Sequence, residues 1–383
     1  MGNRISGPRN TPHHGASTAS PADSVPSAPQ GASSRQPAAR ADAPPARTNV
    51  PAAVHLPAPR VVLGTSPGAL RWGGDAPLET HEVQQAAYLL GEQVAGEAIT
   101  SPRRWAAAGQ TVHDVRVLLE HGRGNVQADD APSGGHNGIG SSVTSHEYDD
   151  GRRLAVAAVM GAAVCDEHAG LASILHAPHM APGEQTTTVS ARVTLRKPKD
   201  QGGERVPDSI HSWAELLRGQ DGDPSKKAAI LMDPWANGPA VRPRHSAWKN
   251  ASVAVHATYT GSQAAEAKQL VERLIPGAHP EMDADSDDEE NVGPMLAKKR
   301  LQPTAWEKYA EAQVVSRTFA REVRDKLAGL PPQEQERMAS RIVQEAYGLA
   351  PGSAAHHDAV QSVLETARHL HKLPRPAVTP WAD

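Results

Sequence analysis

A run of helices followed by a run of strands, rather than an alternation of the two, is what most constrains this chain. From Thr80, Val83, Ala87, Leu90 and Val94 recur at helical spacing, and Val112, Val115 and Leu119 continue in the same style. Leu154 to Val164 is an apolar, Ala-rich run broken at Gly161. Cys165 then opens a second helical series with Leu171, Ile174 and Leu175 as its buried face. At Thr188 the period changes: Val189, Ala191, Val193 and Leu195 alternate with Ser190, Arg192, Thr194 and Arg196, the pattern of a strand covered on one face. Ser209 to Glu215, Ala228 to Met232, and Ala251 to Tyr259 (Val253, Val255 and Ala257 inward) supply three more strands. Helices first and strands second predict an α+β domain on an antiparallel sheet, ending near Pro276.

The flanks read differently. From about Asn3 to about Pro67 the chain is rich in Ser, Pro, Ala and Arg, with almost no large apolar residue before Val54. Such a segment buries too little surface to offset the entropy of ordering, so a disordered leader is expected over residues 1–70. Its first residues, Met1-Gly2-Asn3-Arg4-Ile5-Ser6, match the N-myristoylation pattern and make Gly2 a candidate lipidation residue. One myristoyl chain gives marginal membrane affinity, and Arg4 and Arg9 are a thin second signal. Between Glu281 and Glu290 seven of ten residues are acidic, which marks residues 277–300 as a linker after a domain at 75–276. Thr304-x-x-Glu307 forms a capping box, and Val315, Phe319, Val323 and Leu327 follow at spacing four. With Met338, Ile342 and Tyr347, then Val360, Val363, Leu364, Ala367 and Leu370, they predict three amphipathic helices over 301–373. These pack on one another or on the preceding domain. His356, His357, His369 and His371 lack companion Cys and a ligand spacing, and read as solvated surface.

Several classes of function drop out. The formal net charge of −4 gives no global basic field for nucleic acid. A single cysteine excludes a disulfide framework and a CxxC redox pair. No run of 18 apolar residues predicts a membrane span, and no apolar stretch after the N-terminus predicts a secretory signal peptide. The Gly-rich stretch Ser133 to Gly138 lacks the Lys-Ser/Thr of a phosphate loop and reads as an ordinary loop.

What remains is a thiol, an imidazole and a carboxylate in that order: Cys165, His211 and Asp233. A thiol is a strong nucleophile only as thiolate. A helix start and a neighbouring imidazolium both favour that form, whereas Asp166 and Glu167 oppose it. Two histidines compete as base. His168 lies one turn along the same helix, and His211 lies on the second strand. Asp233, at the end of the third strand, supplies the third group that would hold an imidazole, which favours His211. Read without these contexts, a lone cysteine on an apolar helix is inert core.

The contexts resemble the transglutaminase-like superfamily: Cys165-Asp166-x-x-Ala169 at a helix start, His211-Ser212-Trp213-Ala214-Glu215 on a strand, and Ile230-Leu231-Met232-Asp233-Pro234 closing the next. Trp235 departs from that pattern, standing where a small polar residue often follows Asp-Pro. With the lipidation-like N-terminus, the Ser/Pro/Ala-rich leader and the helical C-terminal part, the chain resembles the AvrPphE (HopX/XopE) family of type III effectors of plant-pathogenic bacteria. The resemblance implies a papain- or transglutaminase-like core, with Cys165 as nucleophile, His211 as base and Asp233 as orienting carboxylate. It implies a cysteine protease, or a transglutaminase or deamidase, that needs no metal or organic cofactor. It also implies type III secretion, with a secretion chaperone as a partner. The destination is the cytoplasmic face of the host plasma membrane, reached through Gly2, and the substrate a host protein whose modification alters plant immunity. The oxyanion would meet the Cys165 N–H and a second donor, for which Gln127 and Asn137 are candidates. The competing expectation is a catalytically silent module that docks on a host membrane-associated protein.

Overall fold

A computed structural model describes Leu63, Leu70 and residues 72–129, 131–145, 147, 149–193, 209–218, 228–278 and 312–376. The expectations for the leader, Gly2, the acidic run and the Thr304 capping box fall outside these residues. Among the described residues the chain is α+β, with a four-stranded antiparallel sheet and a two-stranded parallel one.

The helices come first. α1 (Thr80–Ala95) and α2 (Pro102–Leu118) precede β1 (Gly122–Arg123), α3 (His136–Thr144), α4 (Asp150–Met160), β2 (Ala162–Ala163) and α5 (Cys165–Leu175). The main sheet follows as β3 (Glu184–Val193), β4 (Ser209–Arg218), β5 (Ala228–Met232) and β6 (Val253–Thr260), in spatial order β5-β4-β3-β6. α6 (Gly261–Leu274) leads on, and α7 (Arg317–Ala328), α8 (Pro332–Tyr347) and α9 (Ala354–Arg368) close the described chain.

α1 is buried nearly all round, not along one stripe, because α2 packs on it from one side and α7, α8 and α9 from the other. The C-terminal helices therefore share a core with the helices that lead to the cysteine: Tyr88, Phe319, Val323, Ile342 and Val363 belong to one apolar cluster. Each such side chain contributes about 1.5–3 kcal/mol by leaving water.

α5 packs on β3 and β4. Leu171 and Ile174 are fully buried there, as are Trp213 and Leu216 on β4. β3 is covered on both faces over most of its length, unlike the one-sided strand its alternation predicts. It lies between β4 and β6, and its Thr and Ser hydroxyls find partners: Ser173 Oγ and Thr188 Oγ1 are 2.9 Å apart.

One expectation is overturned. Val253 and Val255 are 46% and 63% exposed. The register pairs Ala191 with both His211 and Val253, and Val189 with both Trp213 and Val255. Directly opposed residues share a face, and the alternate residues Thr186 and Thr188 are the ones bonded to Ser173 of α5, so these valines lie on the sheet face turned away from α5. They stand at its margin, where β6 is the outer strand. Read as inward, they are exposed and lie away from the covering helix. The Ser133–Gly138 stretch is likewise only half loop, since Gly135 is the N-cap of α3.

Candidate active site

Three short pieces of backbone bring the chemistry together. α4 stops at Gly161, whose positive φ of 62° allows the chain to reverse. Two residues then pair in parallel with β1, Gly122 with Ala162 and Arg123 with Ala163. The pairing continues with Gly124 N–H donating to Ala163 O at 2.9 Å. A Cβ on Gly124 would stand 1.9 Å from Ser141 Cβ, so only glycine allows this approach. The chain then turns into α5 with Val164 as N-cap, and Val164 N–H donates to Glu167 Oε2 at 3.0 Å. Cys165 is thus the first residue of an 11-residue helix. Its N–H is one of the donors that a helix start leaves unused.

His211 reaches the same place from β4. Its Nε2–H donates to Asp233 Oδ2 at 2.7 Å. That bond leaves Nδ1 as the nitrogen for the sulfur. Asp233 follows the last residue of β5 and is fully buried. Trp248 Nε1–H donates to its Oδ2 at 3.0 Å, and Ala236 N–H donates to its Oδ1 at 3.0 Å. Both carboxylate oxygens are therefore held as acceptors, which favours the ionised form. Burial alone would disfavour charge on His211, but the charge and hydrogen bond of Asp233, then the hydrogen bond and charge of Cys165, raise its pKa to about 10. On the Asp233 side burial opposes ionisation and His211 outweighs it, so that pKa lies below the usual value. Both shifts favour the imidazolium–carboxylate pair over the neutral one.

The His211 ring sits among three indoles, with centroids 4.8 Å from Trp248, 4.9 Å from Trp235 and 5.8 Å from Trp213. They exclude water from the pair and strengthen it. Trp235, the departure noted in the sequence, is thus a wall of the site. Its Nε1–H donates to Asn125 Oδ1 at 2.9 Å, and Arg123 lies over its ring at 5.5 Å.

His168 has a different environment. It is fully buried, and its Nδ1–H donates to Val164 O at 2.9 Å. Burial first, then the charges of Arg375 and Arg123, lower its pKa to about 3. It is a neutral helix-face residue tied to the N-cap carbonyl.

Sequence reasoning missed the supports of the Asp233 loop. Arg116 is buried and donates to Pro234 O at 3.1 Å, Ala236 O at 2.6 Å and Gly238 O at 2.8 Å. Arg123 pairs with Asp129 and donates to Trp235 O at 3.3 Å. Arg375 donates to Pro234 O at 3.2 Å and Trp235 O at 3.1 Å. Asp166, beside the thiol, accepts from Ser212 Oγ and lies 4.0 Å from Cys165 Sγ.

Asn125 was also missed. It lies two residues beyond β1 and meets the tryptophan that walls His211. Trp235 occupies its carbonyl oxygen, which leaves the amide NH2 to donate. The signal was Gly124 beside it, a glycine where two backbones approach closely. Asn137 is committed elsewhere, donating to Arg123 O at 3.1 Å and Val126 O at 3.3 Å.

Among the described residues, Glu79, His81 and His113 form a cluster with donor atoms close enough for a metal, within 4.8 Å of one another. The two imidazoles are stacked at 3.8 Å with planes 2° apart. Their lone pairs therefore lie in near-parallel planes. His356 and His369 have separate local partners, Ser340 Oγ at 3.1 Å and Glu365 O at 3.0 Å.

The chain matches no family model, no curated protein and no solved structure in the comparisons made with known proteins.

Proposed function

We propose that this chain is a thiol-dependent acyl-transfer enzyme acting on amide bonds of protein substrates. One observation carries the reading: His211 is held by Asp233 at 2.7 Å and interacts with Cys165, inside a shell of three tryptophans.

The Cys165 thiolate attacks the amide carbonyl carbon, and the carbonyl electron pair moves to oxygen. The Cys165 N–H and the Asn125 amide donate to that oxyanion. His211 passes its Nδ1 proton to the departing nitrogen as the C–N bond breaks, which leaves a thioester. Water or an amine then attacks the thioester, giving up its proton to His211, and the C–S bond breaks to release the acyl product and restore the Cys165 thiolate. Asp233 fixes the ring throughout and offsets the imidazolium charge. Hydrolysis of a backbone amide is proteolysis, hydrolysis of a Gln side chain is deamidation, and an amine acceptor gives a cross-link. All three use the same residues.

The resemblance to AvrPphE effectors supplies the setting of this proposal: a bacterial protein delivered into a plant cell, lipidated at Gly2 and modifying a host protein at the plasma membrane. Its support is the order and local context of Cys165, His211 and Asp233.

Iodoacetamide labelling of the full chain tests the chemistry. Rapid labelling of Cys165 at pH 6, lost in His211→Ala, is the expected result. A thiol that labels only after unfolding would refute it. Mass spectrometry of a modified target then separates the outcomes by a new terminus, a one-unit gain or a cross-link. Asn125→Ala should lower kcat by on the order of 10²–10³, with labelling unchanged.

A further inference from the structure

Away from the cysteine, a cleft of about 580 Å³ opens between α7 and the segment that follows α9. Its lining is cationic. Arg317, Arg321 and Arg324 recur at i, i+4 and i+7 along one face of α7, and His371 and Lys372 face them. No carboxylate is among the lining residues. Arg324 is matched by Asp325 Oδ1 at 2.8 Å, whereas Arg317, Arg321 and Lys372 have no ion pair among the described residues. The convergence is felt at His371: burial first, then the charges of Lys372, His369, Arg324 and Arg317, all lower its pKa.

A solvated helix face spreads its charges and interleaves both signs, as α8 does with Glu334–Arg337 and Arg341–Glu345. The α7 face instead gathers like charges around a concavity, a cost that an anionic ligand would repay. The ligand must be polyanionic, because one monovalent anion leaves most of this charge and volume unmatched. Guanidinium forks suit phosphate oxygens by shape as well as charge. The floor is built rather than loose. Asn237 N–H donates to Ala312 O at 2.8 Å, Val314 N–H donates to Asn237 O at 2.9 Å, and the Gln313 side chain bonds both N–H and C=O of Leu373.

We propose that this cleft binds a multiply phosphorylated small molecule through Arg317, Arg321 and Lys372, with Gln313 at its floor. The proposal does not depend on the chemistry at Cys165.

Calorimetry on the full chain with inositol hexakisphosphate tests it. The expected result is saturable binding at one site per chain, competed by pyrophosphate. Arg317→Gln and Arg321→Gln should each weaken binding by at least about tenfold, one charge-assisted hydrogen bond's worth. Arg341→Gln, on the balanced face of α8, should leave it unchanged. Vesicles of phosphatidylcholine with and without phosphatidylinositol 4,5-bisphosphate distinguish the source. Soluble inositol trisphosphate binding as tightly as the vesicles identifies a free ligand, and binding to the lipid-doped vesicles alone identifies a headgroup. No binding to either probe, or equal binding by the Arg317→Gln/Arg321→Gln double variant, overturns the proposal.

Discussion

His211 and His168 are both buried within reach of one helix start, and they differ in charge. His211 lies 4% exposed with its pKa raised to about 10, and His168 lies 0% exposed with its pKa lowered to about 3. Burial opposes protonation at both. The difference comes from what faces the ring: a carboxylate with both oxygens already held, against a backbone carbonyl and two guanidinium groups. Burial alone therefore does not decide which histidine activates a thiol. The partner on the far nitrogen decides it, because only a carboxylate there makes the charged ring affordable in a dry site.

The most severe way to break this contrast is Asp233→Asn. The amide keeps the shape and removes the charge, so His211 should behave like His168. Turnover should fall by on the order of 10³–10⁴, the range for losing the orienting acid of a triad. Removing one partner of a buried pair should also destabilise the fold by about 3–5 kcal/mol. Substrate turnover gives the first number and urea denaturation the second, while iodoacetamide kinetics reads the sulfur itself. Full labelling at pH 6 in Asp233→Asn would show that the sulfur does not depend on the imidazolium.

Trp248→Phe is milder. It keeps the aromatic wall beside His211 and deletes one donor to Asp233 Oδ2. A hydrogen bond to a charged group contributes about 1.5–3 kcal/mol, and that is the expected loss in stability. Asp233 would hold its charge less firmly, so the pH at which labelling begins should rise. An unchanged labelling profile would assign Trp248 to packing alone.

How much of this could be read from the sequence follows the range of each signal. Local periodicity placed β5 at Ala228–Met232 and the start of α5 at Cys165, because strand alternation and helix entry are properties of adjacent residues. The order Cys165, His211, Asp233 was legible through short contexts on those elements. The supports were not. Arg116 reaches the Pro234 carbonyl across 118 positions, and Arg375 reaches it across 141. Arginine in a sequence ordinarily signals surface, and nothing near Arg116 marks it as a clamp buried under a loop. Trp248 and Asn125 are hidden for the same reason, since their partners lie 15 and 110 positions away. Cover is also non-local, which is why Val253 and Val255 were read as inward and stand exposed.

The finest test uses pH, where the two kinds of buried histidine pull in opposite directions. His211, with a pKa raised from 6.5 to about 10, lets the folded chain hold a proton that the unfolded chain releases. Its stabilisation is complete below pH 6.5 and is lost as pH rises through about 10. His168 and His176 lie at about 3. Below 6.5 the unfolded chain takes up protons that these two refuse, so their contribution is lost as pH falls from 6.5 towards 3. Each removes about 1.4 kcal/mol per pH unit over that span. Thermal unfolding should therefore show an acid limb steeper than the carboxylates alone produce. His168→Gln isolates one proton: the acid slope should fall by about 1.4 kcal/mol per pH unit, and the alkaline limb should stay in place. Turnover at neutral pH should stay within about threefold, less than half a decade on the usual free-energy scale, because His168 supports the Val164 carbonyl and exchanges no proton with the thiol. A variant that loses activity by orders of magnitude while keeping its alkaline limb would reverse the two assignments, making His168 the base and His211 a structural ion pair.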